Sequence, residues 1–181
     1  MKVERTSIPD VLVLEPKRYG DARGFFMETW NAREFAALGI GAPFVQDNHS
    51  RSSRHVLRGL HYQLRQPQGK LVRVAAGEIW DVAVDLRRSS ASFGRWAGVR
   101  LEAAVPRLMW IPPGFAHGFL VLSESADVLY KTTDYYAPEH ERALLWNDPA
   151  LGIDWPLGGA GPILSERDRR ATPLAQAPAY D

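Results

Sequence analysis

The sequence predicts a mainly β domain, a sandwich or barrel of short strands, and three observations support this fold class. Apolar and polar residues alternate through most of the chain, in short segments rich in Val, Ile, Phe, Trp and Tyr. Gly and Pro, 15 and 13 residues, separate these segments. Many short strands in one small domain are typical of a sandwich or barrel. We predict strands at residues 11–14, 24–30, 44–48, 56–64, 70–75, 78–86, 96–101, 107–111, 118–122 and 127–133.

The connection between strands 70–75 and 78–86 is very short. It contains Gly77, which can take the positive φ that a tight turn needs. The sequence therefore predicts a β-hairpin in which these two strands pair.

Only a few short helices are expected. Asn31 can cap a surface helix that would bury Phe35, and Glu34 stands three residues after it, as in a capping box. A turn of helix is expected around residues 165–170. The Ala- and Pro-rich tail from about residue 171 is expected to be mobile.

Length and composition exclude several classes of protein. The 181 residues are enough for one domain, residues 1–181. Twenty-two Lys and Arg against 21 Asp and Glu give a net charge of +1, so no nucleic-acid or membrane partner is expected. The absence of cysteine excludes a disulfide framework and thiolate chemistry. The charged first residues do not resemble a signal peptide, and we expect a cytoplasmic location.

A candidate for chemistry lies in strand 56–64. Strict alternation places His61 on one face with Gln63, and Arg58 on the opposite face. An isolated histidine in a strand is most often a structural residue, so its neighbours decide its role.

Two carboxylates share one face of strand 78–86. Asp81 and Asp85 either face solvent from a sheet that is exposed on one side or point into a barrel. Inside a barrel each carboxylate would have to pair with a cation or hold a histidine. The residues alone leave both interpretations open.

A second histidine, His117, ends the motif Pro-x-Gly-x-x-His after a rigid turn at residues 112–114. This spacing matches the second half of the cupin metal signature. The first half needs His-x-His and a Glu, whereas the matching place here reads His61-Tyr62-Gln63. Two histidines are too few ligands for a tight transition-metal site, so we interpret the fold as a cupin-type jelly-roll barrel that holds no metal.

Motifs along nearly the whole chain resemble those of the dTDP-4-dehydrorhamnose 3,5-epimerase family, also called dTDP-4-keto-6-deoxyglucose 3,5-epimerases. A set of so many motifs in this order is specific for the family. The motifs occupy residues 8–11, 21–26, 44–50, 56–63, 68–73, 110–119, 129–132 and 145–156.

The resemblance implies a metal-free, cofactor-free cupin jelly roll, usually a homodimer, whose substrate is a dTDP-4-keto-6-deoxy sugar. The implied reaction turns dTDP-4-dehydro-6-deoxy-D-glucose into dTDP-4-dehydro-L-rhamnose, in dTDP-L-rhamnose biosynthesis. The C4 ketone makes the C–H bonds at C3 and C5 weakly acidic, because removal of either proton gives an enolate. Epimerisation therefore needs a base on one face, an acid on the other and a cation near O4.

Four residues match the catalytic positions of the family. His61 resembles the general base, since an imidazole can both take and release a proton. Asp168 would orient His61 and favour its protonated form. Lys70 would stabilise the enolate oxygen, and Tyr130 would be the acid on the opposite face.

Nine further residues match family positions that contact the substrate. The arginines suit diphosphate oxygens, Tyr136 would stack on thymine, and His117 would contact the substrate or polarise O4. The amides and carboxylates would bind the base or the sugar hydroxyls, and Arg167 stands where the family often has a lysine. The nine are Arg23, Glu28, Gln46, Asn48, Arg58, His117, Tyr136, Glu141 and Arg167.

The implied roles of Arg58 and His61 conflict with regular alternation. Three positions separate them, and an odd separation reverses the direction of the side chain in a regular strand. Gly59 lacks a Cβ and often marks a bulge, so we predict an irregularity at Arg58–Gly59 that turns both side chains toward one cavity. The alternatives are that Arg58 reaches round the barrel rim or serves a neighbouring subunit.

Two other functions remain open on the sequence alone. One is an epimerase of an antibiotic-sugar pathway that acts at C3 or C5 only, since it would use the same base and acid. The other is a non-catalytic or metal-dependent cupin, which the complete acid–base set disfavours.

Overall fold

The computed structural model describes the whole chain, Met1–Asp181. Thirteen strands, two short α-helices and two 3₁₀ turns make up its regular structure. The strands are β1 (Lys2–Arg5), β2 (Leu12–Glu15), β3 (Arg18–Asp21), β4 (Gly24–Met27), β5 (Gln46–Ser53), β6 (Leu57–Gln63), β7 (Lys70–Ala76), β8 (Glu78–Asp85), β9 (Trp96–Glu102), β10 (Leu108–Ile111), β11 (Phe115–Val121), β12 (Ser125–Thr132) and β13 (Glu141–Ala143). The helices are α1 (Ala32–Ala37) and α2 (Glu166–Arg169), and the 3₁₀ turns are Pro138–His140 and Leu174–Gln176.

Two antiparallel sheets pack face to face as a jelly-roll barrel. The six-stranded sheet has the order β1-β2-β10-β7-β12-β5, and the five-stranded sheet has the order β13-β6-β11-β8-β9. Strands β3 and β4 form a separate two-stranded hairpin. Apolar side chains of both large sheets meet between them, for example Val72 and Met109 from one and Ile79 and Phe119 from the other. The predicted cupin-type barrel is confirmed.

The elements agree closely with the sequence prediction. Each of the ten predicted strands overlaps an observed strand, whereas β1, β3 and β13 were missed because they are short and mostly exposed. Asn31 caps α1 by accepting from the N–H groups of Arg33 and Glu34, and Ser165 caps α2. No helix is long and apolar enough to cross a membrane.

The predicted pairing of β7 with β8 is wrong. Strand β7 pairs with β10 and β12 in the six-stranded sheet, while β8 pairs with β11 and β9 in the other. Gly77 does have a positive φ, 75°, but its turn carries the chain from one sheet to the other. Each strand finds its partners through non-local pairing across the barrel, which local turn chemistry does not reveal.

The expected mobile tail is instead attached to the five-stranded sheet. The hydroxyl of Tyr180 donates to the carbonyl of Gln63 at 2.5 Å, and Tyr62 donates to the carbonyl of Pro178 at 2.6 Å. Ala177 is buried against the outer face of the same sheet. The tail therefore covers apolar surface that would otherwise meet water, which its own composition does not show.

Asp81 and Asp85 point into the barrel, and the solvent-facing interpretation is wrong. Both residues are 0% exposed. Asp85 accepts hydrogen bonds from Arg87, Ser90 and Ser92. Burial by itself would raise the pKa of Asp85, but these hydrogen bonds outweigh it and lower the pKa to about 2.

Strand β6 carries the predicted bulge. Between the pairs His61–His117 and Arg58–Phe119, β6 has two residues where β11 has one. Gly59 lies in this bulge with φ of 119°. The extra residue reverses the alternation, so the side chains of Arg58 and His61 both line the cavity between the sheets. The rim and neighbouring-subunit alternatives for Arg58 are not needed.

We expect Gly59→Val to destabilise the fold strongly. A Cβ at residue 59 would lie 2.5 Å from the Cα of Gly118 and 2.7 Å from the carbonyl oxygen of His117, at a φ that side chains rarely adopt. The expected loss is about 3 kcal/mol or more in the free energy of unfolding, measured by urea denaturation. Gly41→Val is the control, since a Cβ there meets nothing within 4 Å. Equal stability of the two variants would contradict the bulge geometry.

Candidate active site

A cavity opens at one end of the barrel interior, between the two large sheets. It encloses about 720 Å³, counting its open mouth. Strands β6 and β11 supply one wall, and strands β5, β7 and β12 supply the other. Its lining consists of Ser50, Arg58, His61, Tyr62, Gln63, Gln68, Lys70, His117, Phe119, Tyr130, Tyr136 and Glu141.

His61 and Asp168 form an imidazole–carboxylate pair at the cavity wall. The His61 Nε2 lies 2.6 Å from the Asp168 Oδ1, and the Asp168 side chain is 3% exposed. Asp168 lies on α2, where its N–H donates to the Ser165 hydroxyl. Burial would raise the pKa of Asp168, but the hydrogen bond and charge of His61 outweigh it, so the pKa is lowered. The ionised carboxylate accepts the Nε2 proton, which leaves the Nδ1 lone pair as the basic position.

Lys70 is a buried amine on the opposite sheet. It begins β7, is 7% exposed and lines the cavity. Burial lowers the pKa of Lys70 to about 8, against the raising effect of the carboxylates of Glu141 and Asp81. The amine is therefore largely cationic at neutral pH in a region that excludes most water.

Tyr130 stands on β12, in the same sheet as Lys70 and across the barrel from His61. Burial raises the pKa of Tyr130, the charges of Glu141 and Tyr136 raise it further, and Arg58 opposes them. The phenol stays protonated and can donate a proton into the cavity. A base and an acid thus come from opposite sheets.

A second histidine–aspartate pair lies deeper in the same wall. The His117 Nε2 is 2.6 Å from the Asp81 Oδ1, and both side chains are nearly inaccessible to water. The sequence analysis expected a carboxylate inside the barrel either to pair with a cation or to hold a histidine, and Asp81 holds a histidine. The pair directs His117 into the cavity beside Lys70.

A polar network joins Tyr136 and Glu141 of the cavity lining to Gln46, Asn48 and Arg167, which lie outside the lining. The Tyr136 hydroxyl donates to the Glu141 Oε2 at 2.5 Å, and the Arg167 guanidinium pairs with the same oxygen at 2.6 Å. The Tyr136 N–H donates to the Gln46 Oε1 at 3.0 Å, and the Gln46 amide donates to the Asn48 Oδ1 at 2.8 Å. These five residues, which the sequence analysis had assigned to substrate contacts, lie together.

Two of the expected substrate-contact residues lie away from this cavity. Arg23 is in the turn between β3 and β4, where it pairs with Asp21 at 2.5 Å and its side chain is 89% exposed. Glu28 follows the same hairpin and accepts from the Asn31 amide at 3.3 Å. Neither residue lines the cavity of its own chain.

Six residues of the site were missed by the sequence analysis: Ser50, Ser52, Tyr62, Gln63, Gln68 and Phe119. Ser52 accepts a hydrogen bond from the Arg58 Nε at 2.9 Å, and Ser50 lines the cavity wall. Both serines lie on the same face of β5 as Gln46 and Asn48, so the two-residue period of the strand could have identified them. Gln68 and Phe119 carried no comparable signal.

Gln63, which stands in place of the second signature histidine, is committed to backbone groups. Its amide nitrogen donates to the carbonyls of Gln66 and Tyr135, and its oxygen accepts from the N–H of Ala137. The Nε2 atoms of both cavity histidines face aspartates. No group of three or more His, Cys, Asp or Glu side chains is arranged to hold a metal ion.

A jelly-roll barrel whose cavity holds an aspartate-bonded histidine on one sheet and a lysine and a tyrosine on the other defines a cupin-type acid–base enzyme. The sequence model of the family "dTDP-4-dehydrorhamnose 3,5-epimerase" matches residues 5–176. The chain therefore belongs to the dTDP-4-dehydrorhamnose 3,5-epimerase family, a family of isomerases.

Similar proteins and a similar solved structure support this family assignment. The dTDP-4-dehydrorhamnose 3,5-epimerase of Pseudomonas aeruginosa is 62% identical over 181 residues, 99% of each chain. That of Salmonella typhimurium is 56% identical over 179 residues, 98% of this chain and 97% of its own. The crystal structure of the Legionella pneumophila 3,5-epimerase, in complex with dTDP-4-keto-L-rhamnose, superposes with a TM-score of 0.95 at 53% identity. That match covers 98% of this chain and 94% of the Legionella chain.

We expect Lys70 to titrate near pH 8 in the free protein, cationic below that pH and neutral above it. Asp81→Asn removes a neighbouring negative charge but keeps a hydrogen-bond acceptor for His117, so it lowers the pKa of Lys70 further. Nuclear magnetic resonance of the labelled lysine side chain measures both values. Asp47→Asn, which removes the partner of exposed Lys131, is the control. An unchanged or raised pKa in Asp81→Asn would show that the Asp81 charge does not act on Lys70.

Proposed function

We propose that this protein epimerises C3 and C5 of dTDP-4-dehydro-6-deoxy-D-glucose and forms dTDP-4-dehydro-L-rhamnose, a step of dTDP-L-rhamnose biosynthesis. One observation carries the proposal: a base, His61, and an acid, Tyr130, lie on opposite walls of one cavity. A buried cation, Lys70, lines the same cavity. Inversion at a carbon needs a proton to leave from one face and to arrive at the other. The full-length similarity to enzymes of this name supports the choice of substrate.

His61 is the general base. Its Nδ1 takes the proton from C3 or C5, and the C–H electron pair forms the enolate C=C bond while the C4 carbonyl becomes an oxyanion. Asp168 holds the Nε2 proton and stabilises the imidazolium that results. The same pair acts at both carbons once the sugar ring has reoriented.

Lys70 and His117 stabilise the oxyanion at O4. The Lys70 ammonium lies in a buried region where a fixed charge is stronger than in water. His117 is held by Asp81 through its Nε2 and lines the same cavity, and in its imidazolium form it supplies a second donor through its Nδ1–H. Stabilisation of the enolate is the largest electrostatic demand of the reaction.

Tyr130 is the general acid. Its phenol gives a proton to the enolate carbon from the face opposite His61, the electron pair returns to that carbon, and the C4 ketone is restored. The tyrosinate then recovers a proton from solvent at the cavity mouth, and His61 loses its proton there. The raised pKa of Tyr130 keeps the phenol protonated before the reaction.

The nucleotide lies at the cavity mouth. Arg58 binds the diphosphate, and the Tyr136 ring stacks on thymine, with Gln46 and Asn48 nearby for its polar edge. In the chain as it stands, Glu141 already accepts from Tyr136 and Arg167, so its first role is to hold these two residues. A cytoplasmic location fits such a substrate and a chain without cysteine.

Arg23 and Glu28 reach the substrate in a homodimer. The β3–β4 hairpin exposes Tyr19, Phe25 and Phe26 by 54%, 54% and 68%, an apolar surface that a second copy of the chain would cover. Arg23 lies at the tip of this hairpin, where its side chain is paired with Asp21 and exposed, and in the dimer it would enter the cavity of the partner. The dimer would thereby add a second arginine to the Arg58 of each cavity.

The first test is deuterium incorporation from D₂O. The wild-type enzyme is expected to place deuterium at both C3 and C5, whereas incorporation at one carbon only would identify the single-site alternative.

His61→Ala should lose turnover by more than the factor of about 10²–10⁴ of general catalysis, yet still bind dTDP. Tyr130→Phe should keep exchange, since the proton can return to the face it left, but lose inversion. Equal loss of exchange in both variants would contradict the two-face assignment.

Mixed dimers test the shared site. Inactive Arg23→Ala and His61→Ala proteins, dissociated and reassociated together, should regain activity to about a quarter of the wild-type level, because half of the dimers carry one intact site. Arg58→Ala mixed with His61→Ala is the control and should regain none, because both residues belong to the same cavity. No recovery with Arg23→Ala would place Arg23 outside the partner's site.

Chelation tests the metal-free assignment. The side chains that a cupin metal would need are bonded to aspartates and to backbone groups. We expect full activity after exhaustive dialysis against chelator, and no stoichiometric metal by elemental analysis. Activity that is lost on chelation and restored by one metal would support a metal-dependent cupin.

A further inference from the structure

Gln63 lies at the end of β6, two residues after His61, and is 3% exposed. Its amide nitrogen donates to the carbonyl of Gln66 at 2.8 Å and to that of Tyr135 at 3.1 Å. Its amide oxygen accepts from the N–H of Ala137 at 2.8 Å. A buried amide with both donors and its acceptor engaged is a rigid link between the strand and these segments.

Two of these three bonds flank Tyr136. Gln63 holds the carbonyl immediately before that residue and the N–H immediately after it, so both neighbouring peptide groups are fixed. The N–H of Tyr136 is held by Gln46 and its hydroxyl by Glu141. The backbone on both sides of Tyr136 and the hydroxyl of its ring are thus held by hydrogen bonds.

The loop contains two adjacent tyrosines, and only one serves the cavity. Tyr136 lines it and is 51% exposed, whereas Tyr135 does not line it and is 61% exposed. Local sequence does not distinguish these two residues. The peptide groups that Gln63 holds do distinguish them, because rotation of either peptide would turn the loop away from its present path.

We propose that Gln63 is a positioning residue for nucleotide binding, which selects Tyr136 over Tyr135 and holds its ring ready before the substrate arrives. The proposal rests on the function above, in which Tyr136 stacks on thymine. Ordering a loop before binding removes a cost that the complex would otherwise bear. The Gln63 side chain therefore acts on affinity for the nucleotide through Tyr136, and not on the proton transfers at His61.

The test is a double-mutant cycle read by calorimetric titration with dTDP. Gln63→Leu keeps a buried side chain of similar size and removes all three bonds, and we expect the Kd to rise about tenfold. Tyr136→Ala should weaken binding at least as much. If Gln63 acts through Tyr136, the double variant binds like Tyr136→Ala alone, whereas additive losses would overturn the proposal.

Kinetics and thermal unfolding separate this role from a structural one. Gln63→Leu should raise KM more than it lowers kcat, while a lowered Tm with unchanged Kd would make Gln63 purely structural and overturn the proposal. If Gln63→Leu does not fold, Gln63→Glu replaces it, since it keeps the acceptor for Ala137 and loses both donors. It too should weaken dTDP binding, and an unchanged Kd would overturn the proposal.

Tyr135→Ala is the matched control, because it removes the neighbouring aromatic ring and keeps the carbonyl that Gln63 holds. Its Kd for dTDP should equal that of the wild type. A loss equal to that of Tyr136→Ala would contradict the selection of one tyrosine. If the wild-type protein did not bind dTDP, the proposed function itself would be refuted. If the wild type bound dTDP and Gln63→Leu bound it equally well, only the role of Gln63 would be refuted.

Discussion

The close approach of β6 and β11 is the constraint on which the cavity depends. A Cβ on Gly118 would lie 2.7 Å from the carbonyl oxygen of Arg58, and Gly59 is equally crowded on the other strand. Two glycines facing each other let the backbones come together, and the bulge in β6 follows. Because the bulge reverses the alternation, Arg58 and His61 share the cavity, while Leu57 and Leu60 pack with the C-terminal segment on the outer face. The bulge thus places Arg58 and His61 in the cavity and leaves the leucines of the same strand in the apolar core.

The second organising principle is the compensation of charge inside the barrel. Ionised groups are costly in a region of low dielectric unless they have partners. Asp81 and Asp168 each hold a histidine, and their negative charge lies near groups that can be cationic. Lys70 has no comparably short contact, and its lowered pKa expresses the cost of burying it. In the proposed reaction, the oxyanion at O4 would be the partner that Lys70 lacks.

The sheets themselves separate the chemical roles. Strands β6 and β11 bring the histidines, and strands β7 and β12 bring the lysine and the tyrosine. Under the proposed function, a substrate held between the two sheets would meet the base on one side and the acid on the other. Around Tyr136, the side chains of Gln63, Gln46 and Glu141 bond to its neighbouring peptide groups, its N–H and its hydroxyl.

The sequence by itself determined the β-rich barrel, the positions of the main strands, the Asn31 helix cap and the motifs of the family. These depend on short-range features, the period of two, the capping residues and the order of motifs, which can be read within a few residues of one another. The conflict between alternation and function even located the bulge at Gly59. Only the tertiary structure decided that β7 and β8 part into different sheets, that Asp81 and Asp85 are buried, that the tail is attached and that Arg23 lies outside its own cavity. Each of these depends on contacts between residues far apart in the chain, whose geometry follows from how two sheets close around a common core.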